Sequence, residues 1–182
     1  MDINNCHLDQ SDTKTPLDII GSNVFVSIGN IDNIPAKVDT GADSSSVWAS
    51  QIEMSSNGVL SFVLFDKTSP LYTGEKIFVQ EYRASVVRSS NGHEQIRYRV
   101  KMPASIGGHR IMTNFTLADR HANLFPVLIG RRTLKGRFLV DVSQMAIPKV
   151  HHPDTLKLNQ ELRQDPFQFH QKYGIIDPKG NN

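Results

Sequence analysis

From Val24 onward, apolar and polar positions alternate in short runs. "VFVSI", "VLSFVLF", "EKIFVQEYRASVVRS", "EQIRYRVKM", "HRIMTNFTLAD" and "GRFLVDV" are rich in β-branched and aromatic residues, and several show the period of two that marks a half-buried strand. Turn residues separate them at Asn57-Gly58, Thr73-Gly74, Asn91-Gly92 and Gly107-Gly108. Asn-Gly and Gly-Gly tolerate the positive φ of tight hairpins. Helical signals are few. "GRRTLKGR" has room for one or two turns before Gly136, and "DPFQFHQKYG" offers Asp165 as N-cap, Pro166 as first helical residue and Gly174 beyond the end. The pattern predicts a small, mostly β barrel or sandwich with one or two short helices. It divides the chain into a loose N-terminal segment at 1–17, a β domain at 18–148 and a polar C-terminal extension at 149–182.

Composition narrows the class. A chain of 182 residues with 38% hydrophobic and 21% charged residues is long enough for one domain with a real core. A net charge of +2, with basic residues scattered, does not point to nucleic acid. No run of 18 apolar residues is present to span a membrane. Cys6 is the sole cysteine, so there is no disulfide framework. "MDINNCHLDQSDTKT" lacks the basic and apolar regions of a secretory signal. With Met1 as the start, the expected compartment is the cytoplasm, or the periplasm if a leader has been removed. Met102, Met112 and Met145 are isolated and expected in the core, and Trp48 is expected to pack under the barrel.

One stretch does not fit a plain strand-and-turn reading. "AKVDTGADSSSVW" runs apolar into Asp39 and then bends through Thr-Gly-Ala into three serines. Asp-x-Gly is common in solvent-facing turns, which is the default for three residues alone. Some ninety residues later comes "FPVLIGRRTL", an apolar strand running into Ile-Gly-Arg and then a short helix. Between the two lie a hairpin folded at Asn91-Gly92 and a second folded at Gly107-Gly108.

This order resembles that of retroviral-type aspartic proteases, the retropepsins, through "VDTGADSSS", "GGHRI" and "VLIGRRTL". It is more specifically similar to the bacterial and archaeal retropepsin-like family labelled "ATP-dependent zinc proteases", found in association with ATP-grasp amino-acid ligases. "DIIGSNVFV", "AKVDTGADSSS", "VRSSNGH", "TLADR" and "LIGRRTLKGRFLVD" carry that closer likeness over roughly residues 18–142.

The resemblance implies a retropepsin-like acid-protease barrel and an aspartic-type peptidase that cleaves peptide or isopeptide bonds with an activated water. Such enzymes use two carboxylates about 3 Å apart that share one proton. The chain has one Asp-Thr-Gly, so the implied unit is a homodimer with Asp39 of each subunit meeting on the two-fold axis. Thr40 would brace the partner loop, Gly41 would allow close backbone approach, and Ala42 would be small for the same crowding. Asp43 would contact substrate and form a bidentate pair with Arg131, which follows Gly130. Ser90, Asn91 and Gly92, with Ser89 and His93, would form a flap over the substrate. The implied partners are a peptide or protein substrate and an ATP-grasp ligase.

No cofactor or metal is expected. The chain lacks His-Glu-x-x-His, and His93, His109, His121 and the His151-His152 pair lack ligand spacing. Gly-x-Ser-x-Gly is absent too, so Ser44, Ser45 and Ser46 read as polar lining and not as a nucleophile. Two alternatives stay open. One is a peptide-binding or scaffolding protein of the same fold that no longer cleaves. The other is a monomer in which Asp119 or Asp141 supplies the second acid.

Overall fold

The computed structural model describes residues 16–88, 94–148 and 153–173. In chain order the elements are β1 (Asp18–Gly21), β2 (Asn23–Ile28), β3 (Ile31–Val38), β4 (Ser45–Met54), β5 (Leu60–Leu64), β6 (Lys76–Val79), β7 (Tyr82–Arg88), β8 (Glu94–Ile106), β9 (His109–Ala118), β10 (Val127–Ile129), α1 (Arg131–Leu134), β11 (Phe138–Asp141), α2 (Pro153–Gln164) and α3 (Pro166–Tyr173). The described residues fall into two compact units that divide after Ile147. None of the described helices is long and apolar enough to cross a membrane.

The first unit is the mostly β barrel that the strand pattern predicts. Strands pair in the order β10-β3-β2-β8-β9-β4, and β4 returns to β10, closing six strands on themselves. Inward positions fill the interior with Ile28, Ile34, Phe62, Phe65, Phe115 and Leu117, all at most 2% exposed. Full burial of each such side chain contributes about 1.5–3 kcal/mol. Trp48 is buried with its ring edge-on to Phe65 at 6.1 Å. Met102 is also buried, but Met112 and Met145 are exposed, Met112 on an outward position of β9 and Met145 after β11. Size and apolarity alone do not reveal which face a strand residue takes.

Two hairpins serve the site. β8 and β9 turn at Gly107 and Gly108, whose φ angles of +55° and +83° suit glycine. β7 and β8 pair from Tyr82↔Val100 to Arg88↔Glu94 and form the arms of the expected flap. β8 runs on through Pro103, past the point where a proline would be expected to end it. In a strand, N–H and C=O of one residue face the same neighbour. Pro103 accepts from Gly29 N at 3.1 Å, so its missing N–H faces β2 just beyond the end of that strand at Ile28.

In the second unit, Asp165 Oδ1 accepts from Gln168 N at 3.0 Å, the N-cap read from the sequence. Gly174 lies outside the described residues. α2 is an additional helix, begun at Pro153 in a stretch read only as polar extension. Lys172 Nζ of α3 reaches Glu161 Oε2 of α2 at 3.2 Å.

Candidate active site

β3 buries Ile34, Ala36 and Val38 on one face, and Asp39 follows at its end, half-buried. β3 lies parallel to β10 with Val38 opposite Ile129, and the Asp39 amide continues that ladder by donating to Ile129 O at 2.9 Å. The chain then turns back on the acid. Gly41 N and Ala42 N donate to Asp39 Oδ1 at 3.0 and 3.1 Å, which fixes the side chain. A β-carbon on Gly41 would stand 3.2 Å from that same oxygen, so the residue is small where the turn is tightest. Thr40 is exposed at the loop apex.

The loop after β10 is stitched to this turn. Arg131 N donates to Ala42 O at 2.8 Å and Arg132 N to Asp43 O at 3.2 Å. Gly130 N donates to Ser45 Oγ at 3.1 Å, and Ser45 Oγ in turn meets Thr133 Oγ1 at 2.8 Å. Thr133 Oγ1 also meets Thr113 Oγ1 at 2.8 Å, so β4, α1 and β9 share one hydroxyl chain. Ser45 and Ser46 are thus buried at the start of β4 with hydroxyls engaged; Ser44 is half-buried.

Asp43 meets Arg131 as expected, but at long range and not as a bidentate pair, and its closer partner is the next residue. Arg132 Nε lies 2.8 Å from Asp43 Oδ2, while Arg131 comes only within 3.9 Å of Oδ1. Successive residues at a helix start point about 100° apart, and the turn of α1 aims Arg132 at the acid. The Arg132 hydrogen bond holds the Asp43 carboxyl below its ordinary value; slight burial opposes it, and the charges of both arginines and Ser44 assist.

A cleft of about 970 Å³ lies between this loop and the β7–β8 arms. Gly41, Ala42 and Asp43 form one wall, and Arg88, Arg97, Arg99, Arg120 and Arg132 bring five guanidinium groups to it. Arg88 is paired with Glu94, and Arg132 with Asp43. The other three have neutral partners among the described residues. Arg97 donates to Gln95 Oε1 at 2.8 and 3.1 Å, and Arg99 to Ser85 Oγ at 2.9 Å. Arg120 donates to Phe125 O at 3.1 Å and Ser46 Oγ at 3.3 Å. Burial and the Arg97 charge hold Arg120 below the ordinary arginine value, and Asp39 is the charge that opposes them. Arg97, Arg99 and Arg120 thus bring positive charge to the cleft and form no ion pair among the described residues.

Of the residues singled out from sequence, Asp39, Gly41, Ala42, Asp43, Gly130 and Arg131 converge at this loop pair. Ser90, Asn91 and Gly92 lie outside the described residues. Asp119 and Asp141 are engaged in their own turns, with His121 at 3.0 Å and with Ser143 at 2.6 and 2.9 Å respectively. No three His, Cys, Asp or Glu side chains converge among the described residues. Arg120 escaped notice as a site residue. It lies two residues beyond the buried strand end "FTLA", after the exposed Asp119, and nothing in the sequence separates it from a surface charge.

The family described as retropepsin-like aspartic endopeptidase RimB matches residues 19–151. A probable alpha-L-glutamate ligase of Shewanella halifaxensis is 30% identical over 133 residues, covering 69% of this chain and 29% of its own length. One from Desulfotalea psychrophila is 28% identical over 129 residues, covering 68% and 28%. The chain therefore spans under a third of these relatives. A crystal structure of a Legionella pneumophila protein of unknown function superposes with a TM-score of 0.53 at 24% identity, over 70% of this chain and 95% of the other, and shares the fold.

Proposed function

The chain belongs to the RimB-like family of retropepsin-like aspartic endopeptidases, and on that premise we propose that it is an aspartic-type peptidase, active as a homodimer, that hydrolyses peptide or isopeptide bonds in acidic substrates. The observation that carries this is the grip of the Gly41 and Ala42 amides on Asp39 Oδ1 at a strand end beside a cleft. A solvent-facing turn acid would not need a neighbouring strand and helix stitched around it.

In the proposed dimer, the two Asp39 carboxylates stand about 3 Å apart and hold one proton between them. The ionised member takes a proton from a water lying between them as that water attacks the scissile carbonyl. The protonated member donates to the carbonyl oxygen, giving a tetrahedral diol that collapses with proton transfer to the leaving nitrogen. Two carboxylates and a water complete this cycle without a metal. Thr40 at the apex would brace the partner loop. Ala42 and Asp43 would meet the peptide backbone, and the hairpin tip at Ser90, Asn91 and Gly92 would close over it.

The charge of the cleft supports an acidic substrate, since Arg97, Arg99 and Arg120 form no ion pair among the described residues and only the charge of Asp39 acts on Arg120. The glutamate-ligase names of the relatives support glutamate-bearing polypeptides as that substrate, and a functional association with an ATP-grasp ligase. The test is cleavage of a diverse peptide library containing acidic sequences, read by mass spectrometry from acidic to neutral pH. Wild-type cleavage that vanishes in Asp39→Asn is expected; a dimeric wild type that cleaves nothing would favour a binding role for the same fold.

A further inference from the structure

A small recess opens beside the cleft. It holds about 130 Å³, and its polar walls are Ser44, Arg99, Thr113, Asn114, Arg132 and Arg137. Ser44, Arg99 and Arg132 also line the cleft, so the two spaces share a wall. The volume is well below the roughly 300–1,000 Å³ of sites that take whole small ligands. One side chain is what it can accept.

The recess does not neutralise itself. Among the described residues, its three guanidinium groups face one carboxylate, Asp43, which Arg132 occupies. Arg137 donates to the carbonyls of Thr133 and Lys135 at 3.4 and 3.3 Å, long contacts that leave its charge unmatched. Arg99 is unmatched too: its Nη2 donates to the neutral Ser85 Oγ at 2.9 Å, and its Nε, though without a hydrogen-bond partner, is closed to solvent. A planar carboxylate suits a guanidinium fork, taking two parallel hydrogen bonds.

We propose that this recess is a specificity subsite that receives the carboxylate of one acidic side chain of the bound peptide, drawn by the unmatched charges of Arg99 and Arg137. The assignment rests on reading the cleft as peptide-binding, and it is independent of whether the peptide is then cut.

Binding to Asp39→Asn protein tests it without turnover. The probes are neutral peptides of equal length carrying one Glu moved stepwise along the chain, each measured against its Gln counterpart by calorimetry. Glu should be preferred about tenfold or more at one position, the yield of a charge-assisted hydrogen bond. Arg99→Gln, and separately the exposed Arg137→Gln, should erase the preference at that position only. A Glu preference that is absent, that is equal at every position, or that survives both substitutions would overturn the subsite. A one-position preference in a protein whose wild type cleaves nothing would uphold the subsite and remove the peptidase reading. Wild-type cleavage without the preference would do the reverse.

Discussion

A β-carbon on Gly130 would lie 2.5 Å from the carbonyl carbon of Ser44 and 2.6 Å from its oxygen. Both atoms are backbone, so no side chain can swing aside to make room. The φ of Gly130 is −90°, which any residue adopts, so its requirement is for space alone. Gly130→Ala should therefore force apart the two loops that hold Asp39. Overpacking of this kind costs about 1–3 kcal/mol, and thermal unfolding should show it as a drop of about 2–4 °C for each kcal/mol. An unchanged melting temperature would mean the loops are not fixed against each other.

The hydroxyl chain beneath those loops gives a second expectation. Ser45→Ala removes the acceptor of the Gly130 amide and a partner of Thr133 in a buried setting. A buried donor left unpaired costs about 1–3 kcal/mol. Because Ser45 and Thr133 share a bond, the Ser45→Ala/Thr133→Val double variant should cost less than the sum of the singles in urea unfolding. Strict additivity would show that the contact carries no coupling.

Asp43 supplies the pH expectation. Its folded-state carboxyl lies below the ordinary aspartate value, chiefly because of the Arg132 hydrogen bond. A depressed carboxyl contributes stability that is present above its unfolded value and is lost as pH falls through the folded one. Arg132→Gln should raise the Asp43 titration midpoint seen by carboxyl NMR and flatten the acid limb of the stability curve. The pair is exposed, so the stability change should be small. A midpoint unmoved by Arg132→Gln would put the cause elsewhere.

Much of the fold was legible because β2, β5, β8, β9 and β11 announce themselves by alternation or by runs of apolar, β-branched and aromatic residues. β4 was hidden. It begins on Ser45 and Ser46, polar by type but buried because Gly130, Thr133 and Arg120 occupy their hydroxyls. β6 and β7 read as one run, since the break at Gln80 and Glu81 has no turn residue. Asp39 was legible from an acid closing an apolar strand. The choice of Arg132 over Arg131 was not, because it depends on the phase at which α1 leaves Gly130. Nor was the recess, whose arginines come from β8, α1 and the turn after it, and meet only in the folded chain.

The proposed acidic substrate implies a salt signature. Raising ionic strength roughly tenfold shortens the screening length about threefold. KM for an acidic peptide should rise steeply over that range while KM for a neutral peptide changes little. Arg97→Gln should weaken the dependence. Equal salt sensitivity for both peptides would remove the cleft arginines from recognition.

The most direct test of a shared dyad is a heterodimer with one wild-type subunit and one Asp39→Asn subunit, isolated through two different affinity tags. Asparagine can still accept the Gly41 and Ala42 amides through its oxygen, so the loop should keep its shape. If Asp39 of both subunits forms one catalytic pair, the heterodimer should fall to background cleavage while the identically tagged wild-type dimer remains active. A heterodimer that keeps about half of the wild-type rate, as two independent sites would give, would contradict the account.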